Sequence, residues 1–334
     1  MKPKSIISLI IAAALVLCGI VTCTVASIKA KNSDVMLFPE SDGSGNLVYR
    51  VDLENITKLN ITTEDADITV VGGAERSEIE IVNFNANYYK LSQSNGSLVF
   101  VEVDDFLSMF KFWDNGFSFK GMRYILRFGD DAAGEKRVVV HLTDEDALRL
   151  ADIKTSTGDI SIEKCKFNAY YTLSSEGGHV SLDGVSDASF VSVSGKSAPL
   201  DIAMSSCGTD ELNITAESAA VKLSDSSAGI FTATLPVGSL DLDGFTAETM
   251  NITSEGADIT IDPYSVTDGT ITTVTGNLSV NLKDAKSVSA NVTTKSGKLS
   301  LDGKYTDSYT LNTPDPAVRL TASSGSGNIT IITK

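Results

Sequence analysis

Between Asp152 and Lys334 apolar and polar residues alternate in short bursts, each interrupted by a Gly/Ser-rich turn and then resumed. The phrase reads DIKTSTGDISI from Asp152, YTLSSEGGHVSL from Tyr171, LNITAESAAVKL from Leu212 and MNITSEGADITI from Met250. It continues as ITTVTGNLSV from Ile271, ANVTTKSGKLSL from Ala290 and LTASSGSGNITI from Leu320. Period-two alternation predicts strands with one buried face. The apolar residue that opens the second half recurs at Ile160, Val180, Leu200, Val221, Leu240, Ile259, Leu278, Leu299 and Ile329, in steps of 20, 20, 21, 19, 19, 19, 21 and 30. A fixed period near 20 residues predicts stacked coils. One coil cannot bury its inward side chains, such as Leu212, Ile214, Val221 and Leu223, but a stack can share them as a continuous core.

The expected fold is therefore all-β: a single-stranded parallel β-helix, a solenoid of coils of about 20 residues stacked in chain order. Glycines at the half-coil turns, including Gly158, Gly177, Gly256, Gly276 and Gly297, are expected to take positive φ in tight corners. The long step before Ile329 falls on YTDSYTLNTPDPA, whose two prolines predict a loop between Lys304 and Val318, extruded from an otherwise regular coil. A further copy, LNITTEDADITVVGG from Leu59 to Gly73, places the beginning of the solenoid well before residue 152. The chain divides into a signal-anchor or transmembrane segment (1–31), a juxtamembrane stretch (32–57), the start of the solenoid (58–150) and the regular repeats (151–334). The 58–150 segment carries an aromatic-rich insertion at 84–128.

That insertion departs from the pattern. It holds 12 of the 23 aromatic residues of the chain. Phe84, Tyr88, Phe100, Tyr124 and Phe128 are expected to cap the open end of the solenoid, because an uncovered sheet edge invites pairing with another chain. The central FLSMFKFWDNGFSF is a candidate partner-binding surface through Phe106, Phe110, Phe112, Trp113, Phe117 and Phe119. Packing over the cap and contact with the outer leaflet are its alternatives.

At the N-terminus, Ser5 to Ile28 is an unbroken run without a charge, flanked by Lys2, Lys4, Lys29 and Lys31. About 20 apolar residues span a bilayer, so the run is long enough to remain as an uncleaved anchor. The alternatives are a cleaved signal peptide and lipid attachment at Cys18 or Cys23. The expected location is the cell membrane, single-pass, with residues after about 31 outside the cell.

The chain carries 43 acidic and 27 basic residues, a net charge of −16. Lys2, Lys4, Lys29 and Lys31 all fall in or beside the apolar run, where no acid accompanies them. The remainder, at −20, excludes nucleic acid and disfavours anionic polymers as direct partners. Cys165 and Cys207 lie about two coils apart, or about 9–10 Å at the rung spacing of a sheet, beyond disulfide reach. His141 and His179 are the only histidines, and no Cys/His pair has zinc-ligand spacing. Asp residues recur near strand ends, as at Asp159, Asp183, Asp201, Asp241, Asp243, Asp258 and Asp262. They read as outward turn residues, with a calcium site between stacked carboxylates as the alternative. Eight Asn-x-Ser/Thr triplets occur, several at one repeat position, which strand alternation explains without glycosylation.

The stretch KRVVVHLTDEDALRLADIKTSTGDISIEKCKF from Lys136 to Phe167, followed by the SSEGGHVSL and TSEGADITI copies, resembles the bacterial DUF4097-type β-strand repeat family, known as a putative adhesin domain. The resemblance covers about residues 50–334. It implies a single-stranded right-handed parallel β-helix on a membrane-anchored envelope protein, and the family offers no catalytic motif to carry over. The expected function is that of a non-catalytic cell-surface solenoid that needs no cofactor. Its expected partners are the membrane, through the N-terminal helix, and a cell-wall polymer or an exported protein. Two alternatives stand beside it: a carbohydrate-active β-helix enzyme, which requires acids clustered beside a groove, and an accessory of an envelope-stress system.

Overall fold

The computed structural model describes residues 40–41, 46–84, 89–102, 134–196, 200–283, 285 and 287–334. Every regular element among them is a strand. Apolar residues at every second position suit a pleated surface with one dry face. No helix among the described residues is long and apolar enough to cross a membrane, and the run from Ser5 to Ile28 lies outside them.

The strands form one sheet of thirteen and one of fifteen. A coil contributes one strand to each. Gly208–Ala216 lies in the first and Ser218–Ser224 in the second, and the next coil supplies Ser227–Leu235 and Val237–Asp243. Successive coils pair in parallel, so that Leu212 meets Phe231 and then Met250, while Val221 meets Leu240 and then Ile259. These stacked residues are 2% exposed or less. Each large side chain so buried contributes about 1.5–3 kcal/mol, which makes the shared core the main source of stability.

The ladder corrects the sequence register at one point. Val180 pairs with Ile202, not with Leu200, which pairs instead with Ala219. The column that continues from Val180 therefore passes through Ile202 to Val221, and Leu200 stands outside it.

The corners also differ from expectation. After a strand of the thirteen-stranded sheet, a buried hydroxyl accepts the N–H three residues on: Gly158 to Thr155 at 3.1 Å, Gly276 to Thr273 at 3.1 Å and Gly327 to Ser324 at 2.9 Å. Glycine is required there by crowding and not by positive φ. A Cβ on Gly276 would lie 1.9 Å from the Ala257 carbonyl oxygen, and one on Gly327 would lie 1.9 Å from that of Gly276. In the Tyr171 copy the crowded position is Gly178, not Gly177: its Cβ would meet the Gly158 carbonyl oxygen at 2.2 Å. Positive φ recurs at the opposite corner, at Lys164, Gly184, Ser206, Asp225 and Gly244, with Gly238 the exception on the first. Each follows a rung of one column, Glu163, Asp183, Ser205, Ser224 and Asp243.

Chain order fails at both ends of the stack. Val318–Ser324 and Ile329–Ile332 do not lie outermost. Leu320 pairs with Gly269 on one side and Ala290 on the other, and Ile329 with Leu278 and Leu299. The last coil in sequence is thus inserted between two earlier ones. The segment expected to be an extruded loop instead closes the sheets: Lys304–Thr306 runs antiparallel to Leu299–Leu301, and Ser308–Leu311 antiparallel to Val288–Thr294. At the other end Ser97–Glu102 and Arg137–His141 pair outside Lys58–Thr62 and Asp67–Val71, although they come later in the chain. Leu150–Thr155 and Ile160–Glu163 take the inner side. Antiparallel strands Leu47–Asp52, Glu78–Val82 and Tyr89–Ser94 complete this end. Phe84 and Phe100 are buried here, edge to face with ring centroids 5.2 Å apart. Tyr88, Tyr124 and Phe128, expected to pack near them, lie outside the described residues.

Candidate functional site

The cap at the Phe84 end assembles the densest set of ligating groups among the described residues. Antiparallel pairing places Glu78 opposite His141, and Glu80 shares their face by period-two alternation. One ligating atom from each of the three lies within 4.8 Å of the others. Sequence reading missed this group because the pairing that creates it crosses the aromatic insertion. Its electrostatics are those of a structural network. Glu78 is buried and meets the Arg76 guanidinium at 2.6 Å, and Glu80 meets that of Arg50 at 2.6 Å. A divalent cation would have to displace two arginines from their carboxylates.

The acids along the coils are spent differently. Asp159 accepts the His179 N–H at 2.7 Å, and Asp258 accepts the backbone and side-chain N–H groups of Asn277 at 2.9 and 3.0 Å. Asp262 accepts from the Asn281 amide at 2.7 Å, and Asp183 accepts from the Ser205 hydroxyl. Each of these carboxylates ties its own coil to the next. Asp243 and Asp262 do stand on adjacent rungs, as a calcium pair would require. Among the described residues, however, only the Glu78–Glu80–His141 trio brings three ligating side chains together.

At the far end an open groove of about 620 Å³ runs between the corner Thr294–Leu299 and the strand that begins at Lys304. Lys295, Lys298, Tyr305 and Asp307 line it. The Lys298 ammonium lies over the Tyr305 ring, 5.5 Å from its centroid, although the tyrosine is 75% exposed. One face of the ring is therefore occupied by a cation.

Neither buried cysteine is poised as a nucleophile. Both are free thiols. The Cys165 thiol points to the carbonyl oxygens of Val70 and Glu163, and burial pushes its pKa up to about 12. Cys207 points to those of Leu182 and Ser205 and is shifted upward for the same reason. A thiolate is the reactive form, and both sites disfavour it. The sequence-derived surface of Phe106, Phe110, Phe112, Trp113, Phe117 and Phe119 lies outside the described residues.

Comparison with known proteins adds a family. A family model described as Toastrack DUF4097 matches residues 56–332. Among solved structures, the chain is similar to a putative adhesin from Bacteroides fragilis, at 13% identity and a TM-score of 0.42, over 88% of this chain and 98% of that one. It is similar to a putative lipid binding protein from Parabacteroides distasonis, at 12% identity and a TM-score of 0.43, over 85% and 96% of the two chains. A putative adhesin from Parabacteroides merdae matches at 11% identity and a TM-score of 0.41, over 90% and 100%. No curated protein matches the chain.

Proposed function

The chain belongs to the Toastrack DUF4097 family, and from that premise we propose that it is a non-catalytic solenoid displayed on the outer face of a cell. It would be held there by a single membrane pass at Ser5–Ile28 and would contact a cell-wall polymer or an exported protein. The coils would follow the right-handed, single-stranded winding that the family resemblance implies.

One observation carries the non-catalytic reading. The carboxylates on the coils serve as rung-to-rung hydrogen-bond acceptors, as Asp159, Asp183, Asp258 and Asp262 do. Acid–base chemistry on a glycosidic bond would instead need two carboxyls facing one another across a cleft. The long apolar run followed by a chain of net charge −20 supports export, since an acidic, turn-rich β surface stays soluble and monomeric outside the membrane.

Fractionation of the producing cells tests this reading. The full chain should pellet with membranes and be digested by protease added to intact cells. The chain lacking residues 1–38 should leave the membrane fraction. Full protection of the solenoid in intact cells, or release of a glycan product by the purified chain, would overturn the proposal.

A further inference from the structure

Two adjacent columns on the outward face of the thirteen-stranded sheet consist of Ser, Thr and Asn alone. From the strand Tyr170–Ser175 to the strand Val288–Thr294, eight rungs stack in register, each presenting three outward residues in line with those above and below, and two of the three columns are free of charge. One column runs from Thr172 through Asn213 and Thr270 to Asn291, the other from Ser174 through Thr234 and Thr272 to Thr293. All sixteen positions are Thr, Ser or Asn, and all are exposed or half-exposed. None carries a charge, although residues 170–282 contain 15 acidic and 2 basic side chains. Charges flank the two columns: the third outward column of the same face, which begins at Tyr170 and Phe190, carries Glu211, Asp268 and Arg319, and on the same coils the outward face of the fifteen-stranded sheet carries His179, Asp201, Lys222, Asp241 and Asp262. Among the sixteen, the Asn213 amide is the one side chain bonded to another described residue, Glu211, at 2.9 Å.

The ladder repeats at about 4.8 Å along the stack and about 6.7 Å across it, over a length of about 34 Å. Along the charged edge stand Tyr170 and Phe190, with ring centroids 6.0 Å apart, then Glu211 and Ile230, the latter 45% exposed, and beyond them Asp268 and Arg319.

We propose that this face binds a neutral, extended β-linked glycan lying along the stack. The inference rests on the reading of the solenoid as an envelope-contacting protein and names the contacting face and its ligand. Charge complementarity selects the ligand class. Hydroxyls and amides both donate and accept, so they match a polyol without stripping water from an ion. The net negative charge of the chain disfavours a polyanion on the same face. The sugar-to-sugar advance of an extended β-linked chain is close to one rung, so successive sugars meet successive Thr or Asn side chains. Tyr170 and Phe190 offer stacking to the apolar faces of the sugars at one end. A protein partner would call for an apolar anchor at the centre of the contact, and the centre of this face is entirely polar.

The test is co-sedimentation of the full chain, in mild detergent, with insoluble chitin and with cellulose; polygalacturonate-coated beads serve as the anionic counterpart. Retention is expected on at least one neutral polymer and not on the beads. The triple variant Thr234→Val, Thr253→Val, Thr272→Val keeps β-branched side chains and removes three hydroxyls. It should bind at least about tenfold more weakly, which corresponds to about 1.4 kcal/mol. Thr260→Val, on the opposite face, should bind as the parent does. If the triple variant unfolds, the single exposed substitution Thr253→Lys carries the same prediction. Absence of retention on both neutral polymers, equal retention of the variants, or preference for the anionic beads would overturn the proposal. A triple variant that still pellets with membranes, and loses only polymer binding, confirms the face independently of the anchor. Loss of surface exposure in cells defeats the proposed function whatever the polymer result.

Discussion

Asn328 donates its backbone N–H to the side-chain oxygen of Asn277, 51 positions earlier in the chain, at 3.1 Å. The side chain of Asn328 in turn accepts the N–H of Lys298 at 3.0 Å. These two bonds lock the last coil in sequence into a slot between two coils that precede it. Ile329, fully buried between Leu278 and Leu299, should therefore matter on both sides. Ile329→Ala is expected to cost about 2–5 kcal/mol in urea unfolding. It should also accelerate amide exchange equally in 278–281 and 299–301, whereas a coil at the outside of the stack would affect one neighbour alone.

Crowding and backbone conformation separate two kinds of glycine. Gly276→Ala should destabilise by about 3 kcal/mol, because the added methyl collides with the neighbouring Ala257 carbonyl. Gly303 follows Asp302 in the hairpin turn before Lys304, with φ of +80° and nothing near the position of a Cβ. Gly303→Ala should cost about 1 kcal/mol, the conformational penalty alone. Chemical denaturation of both variants checks the difference.

Alkaline pH should weaken the fold through its buried acids. In the unfolded chain the Cys165 thiol ionises near the ordinary value of 9.0; in the folded chain burial holds it protonated up to about 12. Burial shifts Tyr171 and Tyr264 upward as well. The folded state thus holds more protons across this range, and its stability is complete below pH 9 and falls as pH rises from there toward 12. Thermal midpoints measured from pH 7 to 11 should decline past 9, and less steeply in Cys165→Ala. Both thiols should stay unreactive to a disulfide reagent at pH 8 until denaturant is added.

Zinc should leave the Glu78–Glu80–His141 group unchanged. An ion bound at one hundred times its dissociation constant would add about 2.7 kcal/mol of stability. With Arg76 and Arg50 on the two carboxylates, no shift in thermal midpoint is expected from added zinc or from a chelator.

Much of this was legible in the sequence. The period, the inward residues and the all-β class follow from alternation, because burial of every second side chain is a local property. The position of the last coil was not legible. Leu299 and Ile329 carry the same phrase, and nothing in either copy says which coil it will touch. The lengthened step between them marked the irregularity but admitted an extruded loop as readily as a fold-back. Gly158 and Gly276 mark one corner in the sequence, but positive φ falls at Lys164 and Asp225 on the other, where a Lys and an Asp give no such signal. The His141 cluster depends on antiparallel pairing at a cap, which breaks the repeat. The hydroxyl ladder is legible as recurring Asn-x-Thr triplets at Asn213, Asn251 and Asn291, but only the strand register places all eight rungs on one face.

The inserted coil also makes the end of the stack depend on one segment. Residues 288–311, four strands, fold back on themselves through contacts close in sequence. They do not touch the main stack directly, because a space one coil wide separates them. Residues 318–332 fill that space and pair with both sides. The last coil is thus the keystone of an arch, and cooperativity between the two flanks should rest on it.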